Sequence, residues 1–154
     1  MDRRDFLKQM TAATAGLMVT NTIFGKNEYQ HRDRLGPLMP VRQLGNTGQK
    51  VTLFGVGGWH IRANCKDNFT LAVETALEKG VRFFDNAEAY QNGSSEEYYG
   101  TYLTPKYRDV AFIMTKTRAK DAKTAQKHLE DSLRRMNTDY LDLYLIHWPN
   151  PAIS

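Results

Sequence analysis

The sequence lacks a second cysteine, a long apolar run and a concentrated stripe of basic residues, and each absence excludes a class of protein. Cys65 is the only cysteine among 154 residues, so no internal disulfide can form, and no cysteine–histidine cluster has the spacing of a metal site. No apolar run is long enough to span a bilayer, so we expect no stable membrane insertion. The net charge of +4 comes from scattered lysines and arginines, which does not favour nucleic acid as a partner.

The first 25 residues differ from the rest of the chain. They begin with MDRRDFLK, in which an arginine pair precedes a weakly apolar stretch rich in alanine and threonine. This pattern predicts a twin-arginine-like signal segment over residues 1–25, recognised by the twin-arginine export machinery, and hence an exported, periplasmic protein. The alternative is an N-terminus that contains the arginine pair by chance, which would leave the protein in the cytoplasm. Residues 26–40 are polar and contain glycine and proline, which is typical of a linker.

Beyond residue 41, short apolar segments alternate with amphipathic ones. Two extended segments flank the turn GNTG, which predicts a β-hairpin running into a first strand near residues 51–56. The segments VRFFD, VAFIMTK and LDLYLIH have the character of strands, and apolar residues recur at helical spacing between them. This order is typical of parallel strands with right-handed crossovers, in either a doubly wound sheet or a (β/α)₈ barrel.

Three of these strands end in a polar residue that a buried strand does not normally carry. Asp85, Lys116 and His147 stand at the three carboxyl ends, in phase with apolar residues of their own strands. Active sites form at such ends in α/β proteins. One interpretation is a structural ion pair between the lysine and the aspartate, with the histidine as a hydrogen-bonded rim residue. The other includes Tyr90: an ammonium favours its phenolate, and the group becomes a proton donor for a carbonyl oxygen.

Four longer stretches of the sequence match a known family. They are RQLGNTGQKVTLFGVGGW, GVRFFDNAEAYQNGSSEEYYG, AFIMTK and SLRRMNTDYLDLYLIHWP. In this order and at this spacing, the sequence resembles the N-terminal half of the aldo-keto reductases. The resemblance implies an α/β fold of the (β/α)₈ TIM-barrel type, preceded by an N-terminal β-hairpin. Residues 41–154 would form an incomplete barrel of about four β/α units.

The resemblance also implies roles for the four polar residues. Tyr90 would be the general acid in carbonyl reduction, Lys116 would assist it, Asp85 would hold the lysine, and His147 would orient the carbonyl of an aldehyde, ketone or sugar. The hydride would come from NADP(H), with NAD(H) possible. One position departs from the family's pattern, since Asn86 stands where threonine is common.

Two loops are further candidates by the same resemblance. Gly57, Gly58 and Trp59 follow the first strand and would bind the cofactor together with Asp85. Trp59 would also contact the substrate, with His147 and Trp148. The alternatives are a plain turn for the glycines and packing at the rim for the two tryptophans.

The family's later strands, which carry most of its dinucleotide-binding residues, have no counterpart in the 154 residues. We therefore expect a fragment or truncated chain with little activity of its own. The alternative function is a non-catalytic, nicotinamide-binding regulatory or assembly subunit. The pattern predicts neither a particular substrate nor an oligomeric state.

Overall fold

The computed structural model describes residues 31–61 and 66–148. The predicted signal segment at 1–25 lies outside the described residues, as do the first five residues of the predicted linker and the loop that contains Cys65. Within the described ranges, no helix has both the length and the apolar character that crossing a membrane requires.

Two short antiparallel hairpins begin the described chain. The first pairs β1, Arg32–Asp33, with β2, Gly36–Pro37. The second pairs β3, Val41–Gln43, with β4, Lys50–Thr52, and so confirms the hairpin predicted around GNTG. The first hairpin falls within the predicted linker, whose described part is therefore folded.

Two ion pairs bind the first hairpin to the rest of the domain. Asp33 accepts hydrogen bonds from Nε and Nη2 of Arg82 at 2.5 and 3.0 Å, and the arginine side chain is only 5% exposed. Arg34 pairs with Asp109 at 2.5 Å on the surface. A buried guanidinium without an anionic partner lowers the stability of the fold, so Arg82 requires Asp33 in its place. Residues 31–40 therefore form part of the folded unit, which their polar composition did not indicate.

A parallel sheet follows the hairpins, with its four strands side by side in chain order. The strands are β5, Gly55–Gly57; β6, Phe83–Asp85; β7, Phe112–Thr117; and β8, Leu143–Ile146. All four carboxyl ends therefore lie at one edge of the sheet, as the alternating pattern predicted.

Helices connect the successive strands. They are α1, Lys66–Glu78; α2, Ser94–Tyr102; α3, Thr104–Tyr107; and α4, Ala122–Arg135. A short 3₁₀ turn, Tyr90–Gly93, precedes α2. Asp121 precedes α4 as its N-cap, and its carboxylate accepts the backbone N–H of Thr124 at 2.9 Å.

The core lies between the helices and one face of the sheet. Phe84 and Ile113 from the strands are fully buried there against Tyr99 of α2 and Met136 after α4. Side chains alternate along a strand, so Asp85, next to Phe84, faces the opposite side. That side holds the polar residues of the candidate site.

Candidate active site

Lys116 is the centre of the candidate site. Its ammonium contacts the Asp85 carboxylate on the neighbouring strand and donates a hydrogen bond to the hydroxyl oxygen of Tyr90 at 3.1 Å. A third hydrogen bond goes to the carbonyl oxygen of Asn86 at 2.7 Å. The lysine side chain is 14% exposed, so its charge is mostly removed from water and balanced by one carboxylate. This arrangement orients one N–H toward the phenol.

The chain between β6 and the 3₁₀ turn positions Tyr90. The backbone N–H of Asn86 donates to Met114 O at 2.9 Å, and that of Glu88 donates to Lys116 O at 3.2 Å, which fixes the loop to β7. The Tyr90 ring then meets the ring of Trp59 edge-on, with centroids 5.1 Å apart. The phenol is thus located by backbone contacts on one side and by an aromatic ring on the other.

A left-handed backbone segment ends this loop. Gln91 and Asn92 have φ values of 51° and 56°, and Gly93 follows with φ of 90°. Non-glycine residues rarely adopt this conformation, and it persists where surrounding contacts hold it. One such contact is the hydrogen bond from the Gln91 amide to the carbonyl oxygen of Trp59, at 2.9 Å.

His147 completes the group just beyond β8. Its backbone N–H donates to Thr117 O at 2.8 Å, and its ring lies 5.5 Å from that of Tyr90 at an angle of 80°. Burial lowers the pKa of this imidazole below its ordinary 6.5, and the charges of Lys116 and Arg118 lower it further. The imidazole is therefore neutral at neutral pH. Its Nδ1 is buried and has no hydrogen-bond partner among the described residues.

The structure therefore brings Asp85, Tyr90, Lys116 and His147 together, although they come from three strands and a loop. Their catalytic roles stay predictions. Asn86, the departure from the family's pattern, is turned away from them: its amide donates to Ser95 O at 3.1 Å, and its Oδ1 accepts the N–H of Ala87 at 2.9 Å.

The predicted cofactor loop separates into open and packed positions. Gly57 lies opposite Asp85 in the sheet and is exposed, with no atom within 4 Å of the place where a Cβ would stand. Gly58 is buried, and a Cβ there would come within 2.8 Å of Ser95 Oγ and 2.9 Å of Asp85 O. Gly57 is thus available to a ligand, whereas the absent side chain of Gly58 allows close packing within the protein. Trp59 and Trp148 are both exposed.

Glu88 was not among the predicted site residues, and it connects the loop at residues 86–89 to β7 and α4. One carboxylate oxygen accepts the N–H of Arg118 at 2.7 Å, and the other lies 2.7 Å from Nδ1 of His128. The same histidine nitrogen is 2.8 Å from the hydroxyl of Thr117. The only local signal was the position of Glu88 two residues before Tyr90, because His128 lies forty residues further along the chain.

A second buried carboxylate lies on the helix side of the sheet. Glu96 is fully buried, and it accepts a hydrogen bond from the Thr115 hydroxyl at 2.6 Å and from the Arg135 guanidinium at 2.7 Å. Thr115 precedes Lys116 in β7, so this cluster fixes the strand that carries the lysine to α2 and α4.

A hairpin, a parallel sheet with one helix-covered face, and a Lys–Tyr–His group at the strand ends define a barrel-type α/β protein. The model of the aldo/keto reductase family matches residues 53–154, and the chain belongs to this family. The expected (β/α)₈ fold is thereby confirmed, with the described strands as four units of an incomplete barrel.

Two curated relatives illustrate the match. The methylglyoxal reductase DkgA of Escherichia coli K12 is 41% identical over 109 residues, which cover 70% of this chain and 38% of that protein. The aldo-keto reductase YhdN of Bacillus subtilis is 35% identical, with 75% of this chain and 40% of that protein covered. The chain thus spans about two fifths of these relatives.

Solved structures of aldo-keto reductases superpose on this chain. The thermostable aldo-keto reductase Tm1743 superposes with a TM-score of 0.68 and 34% identity, over 75% of this chain and 45% of that one. An aldo-keto reductase from Klebsiella pneumoniae in complex with NADPH gives a TM-score of 0.62 and 30% identity, over 67% and 37% of the two chains.

Proposed function

We propose that the protein reduces a small carbonyl compound with NADP(H), and that Tyr90 is the proton donor. The observation that carries this proposal is the 3.1 Å hydrogen bond from the Lys116 ammonium to the Tyr90 hydroxyl, with Asp85 holding the lysine. A phenol is a poor acid unless its anion is stabilised, and a fixed ammonium supplies that stabilisation.

The proton path follows from these contacts. Tyr90 gives its proton to the carbonyl oxygen as negative charge develops there, and the Lys116 ammonium stabilises the phenolate that remains. Asp85 balances the lysine charge throughout, so the ammonium stays in place. His147 is neutral and donates an N–H to the same carbonyl oxygen, which orients it toward the phenol. In the reverse direction, the phenolate accepts a proton from the alcohol.

The residues present fit a nicotinamide cofactor, which supplies the hydride when bound. Gly57 leaves open space where it pairs with Asp85, and Trp59, whose side chain is exposed, follows two residues later in the chain. A flat ring can lie against a strand end that carries no side chain. The Klebsiella relative holds NADPH, which supports NADP(H) over NAD(H) for this protein.

We propose small aldehydes, ketones or sugars as substrates. The rings of Trp59 and His147 both contact the Tyr90 ring, and Trp148 contacts His147, an aromatic setting that suits a compact carbonyl compound. Methylglyoxal reductase DkgA and an NADP⁺-dependent glycerol 2-dehydrogenase of Saccharomyces cerevisiae are relatives whose substrates have this size.

A Tyr90→Phe variant of the complete gene product tests the proposal. We expect kcat for methylglyoxal reduction, followed by NADPH oxidation, to fall by about 10²–10⁴-fold, because the proton donor is lost. NADPH affinity, measured by fluorescence titration, should stay the same, since Lys116 and Asp85 remain. A variant that keeps its kcat would refute Tyr90 as the acid. A biological role that survives the loss of activity would instead favour a regulatory subunit.

We further propose that activity requires the whole barrel of the relatives. The chain spans 38% of DkgA, and the described sheet supplies Asp85, Lys116 and His147 but has four strands. Residues 1–154 alone should therefore show negligible NADPH oxidation. Joining residues 31–148, which include the Asp33 hairpin, to the C-terminal strands of DkgA should restore turnover, and robust activity of residues 1–154 would contradict this proposal.

Export by the twin-arginine machinery is also a proposal, supported by the arginine pair near the N-terminus. A reporter fused to residues 1–40 should reach the periplasm. Replacing Arg3 and Arg4 with lysine should stop that transport, and unchanged export would rule the twin-arginine route out.

A further inference from the structure

Arg118 places a positive charge beside the candidate site, next to Trp148. It follows β7 directly, two residues after Lys116, and its side chain is exposed. The guanidinium carbon lies 4.6 Å from the centre of the Trp148 ring. That ring in turn lies 5.0 Å from the His147 ring, which faces Tyr90. Contacts therefore run from the phenol through two rings to the arginine.

The guanidinium of Arg118 has no carboxylate partner among the described residues. Five other arginines do form ion pairs with aspartate or glutamate: Arg34, Arg82, Arg108, Arg134 and Arg135. Glu88 accepts the backbone N–H of Arg118 with one carboxylate oxygen, and its other oxygen lies 2.7 Å from Nδ1 of His128. The charge of Lys116 is balanced by Asp85. The Arg118 guanidinium is thus an exposed cation beside the site whose N–H donors are not taken up by a carboxylate among the described residues.

The backbone that carries this charge is fixed. The N–H of Arg118 donates to Glu88 at 2.7 Å, and the next N–H, of Ala119, donates to the Thr117 hydroxyl at 3.0 Å. The charge also acts on the site, because Arg118 is one of the groups that lower the pKa of His147. Stacking on an aromatic ring leaves the guanidinium edge, with its N–H donors, free to bind an anion.

We propose that Arg118 and Trp148 form an anion subsite for the substrate, so that the protein prefers carbonyl compounds that carry a carboxylate or phosphate several atoms from the reacting carbon. This inference rests on the proposed reductase function and specifies its substrate class. A remote anion is required because the rings of His147 and Trp148 lie along the path from Tyr90 to the guanidinium.

The test compares succinic semialdehyde with butanal, which lacks the carboxylate. The unmodified gene product should show a higher kcat/KM for the acid. In Arg118→Gln, the ratio of the two kcat/KM values should fall by about five- to tenfold, the effect of one partly solvated charged hydrogen bond. Arg118→Lys keeps the charge without the planar fork, and should retain part of the preference. An unchanged ratio in Arg118→Gln would overturn the proposal.

A binding measurement separates this inference from the reductase function. In a Trp59→Phe background, Trp148 is the remaining tryptophan of residues 1–154, and succinate should change the fluorescence of this 154-residue chain whereas acetate should do so much less. Arg118→Gln should abolish that difference whether or not the protein turns over aldehydes. Equal responses to succinate with and without Arg118 would count against the subsite. A raised KM for NADPH with an unchanged substrate ratio would assign the arginine to a cofactor phosphate, which also overturns the proposal.

Discussion

Asp33→Asn should destabilise the domain far more than its surface position suggests. Asp33 lies in the first hairpin and binds Arg82, which immediately precedes β6. The arginine side chain is 5% exposed, and the aspartate side chain 21%. An asparagine keeps the size of the side chain and can still accept the N–H of Leu35, so the substitution removes the charge and the oxygen that accepts from Arg82 Nε with little change in packing.

The size of the loss in stability depends on which hydrogen bonds Arg82 retains in the variant. Removing one partner of a buried ion pair costs about 3–5 kcal/mol. Two hydrogen bonds to the carbonyl oxygens of Leu77 and Val81, at 2.7 and 2.9 Å, would still satisfy Nη1. Since Asp33 is partly exposed, water can also reach part of the vacated position. We therefore expect a loss of about 2–3 kcal/mol in the free energy of unfolding.

Urea unfolding of the complete gene product, followed by circular dichroism, measures this loss. Asp109→Asn is the matched control, because it breaks the ion pair of the adjacent residue, Arg34, whose side chain is 47% exposed against 58% for Asp109. Exposed ion pairs contribute little to stability, so the free energy of unfolding of Asp109→Asn should be much closer to that of the unmodified protein. Combining Asp33→Asn with Arg82→Met should recover part of the loss, since no buried charge remains.

The pH dependence gives a second check. The hydrogen bond from Arg82 holds the pKa of Asp33 below its ordinary 3.8, opposed by burial. A carboxyl group whose pKa is lowered by folding stabilises the protein above its ordinary pKa, and this stabilisation disappears as the pH falls through the lowered value. The difference between the variant and the unmodified protein should therefore shrink below pH 3.8. Equal effects of Asp33→Asn and Asp109→Asn at neutral pH would refute the buried pairing.

Three further outcomes follow from the site and its surroundings. The pKa of His147 is lowered, so its NMR titration should occur below 6.5 and the neutral form should persist into mildly acidic solution. Gly58→Ala should destabilise the fold by about 1–3 kcal/mol because its Cβ would overlap protein atoms, whereas Gly57→Ala should leave stability unchanged and weaken NADPH binding. Glu96→Gln should lower the free energy of unfolding by about 3 kcal/mol, because Arg135 loses its buried partner.

The sequence allowed the strands and the polar group at their ends to be predicted, because both depend on local pattern. Alternation along VRFFD places Asp85 opposite Phe84, and the same parity applies to Lys116 on β7. Side chains at the ends of neighbouring parallel strands must lie near one another. The strand pattern therefore predicts that Asp85 and Lys116 lie close together.

The long-range pairs of polar side chains could not be predicted in this way. Glu96 and Glu97 are adjacent in sequence and equally placed in the first turn of α2, yet the first is fully buried and the second is exposed. What distinguishes them is Arg135, which lies 39 residues further along the chain. Glu88 with His128 and Asp33 with Arg82 are separated by comparable or greater distances in sequence. Such pairs depend on how helices and hairpins dock, which single-sequence periodicity does not encode.

The position of Arg82 connects the N-terminal hairpin to the candidate site. Arg82 binds Asp33 at one end of β6, and Asp85 binds Lys116 at the other, only three residues away. Loss of the hairpin would leave the buried Arg82 without its anionic partner. Arg82 directly precedes β6, and β6 carries Asp85, the carboxylate partner of Lys116. If the proposed signal segment is removed after export, the cut must therefore precede residue 31, so that Asp33 stays attached. Mass determination of the exported protein would check this, and a mature N-terminus beyond Asp33 would contradict the role given to the hairpin.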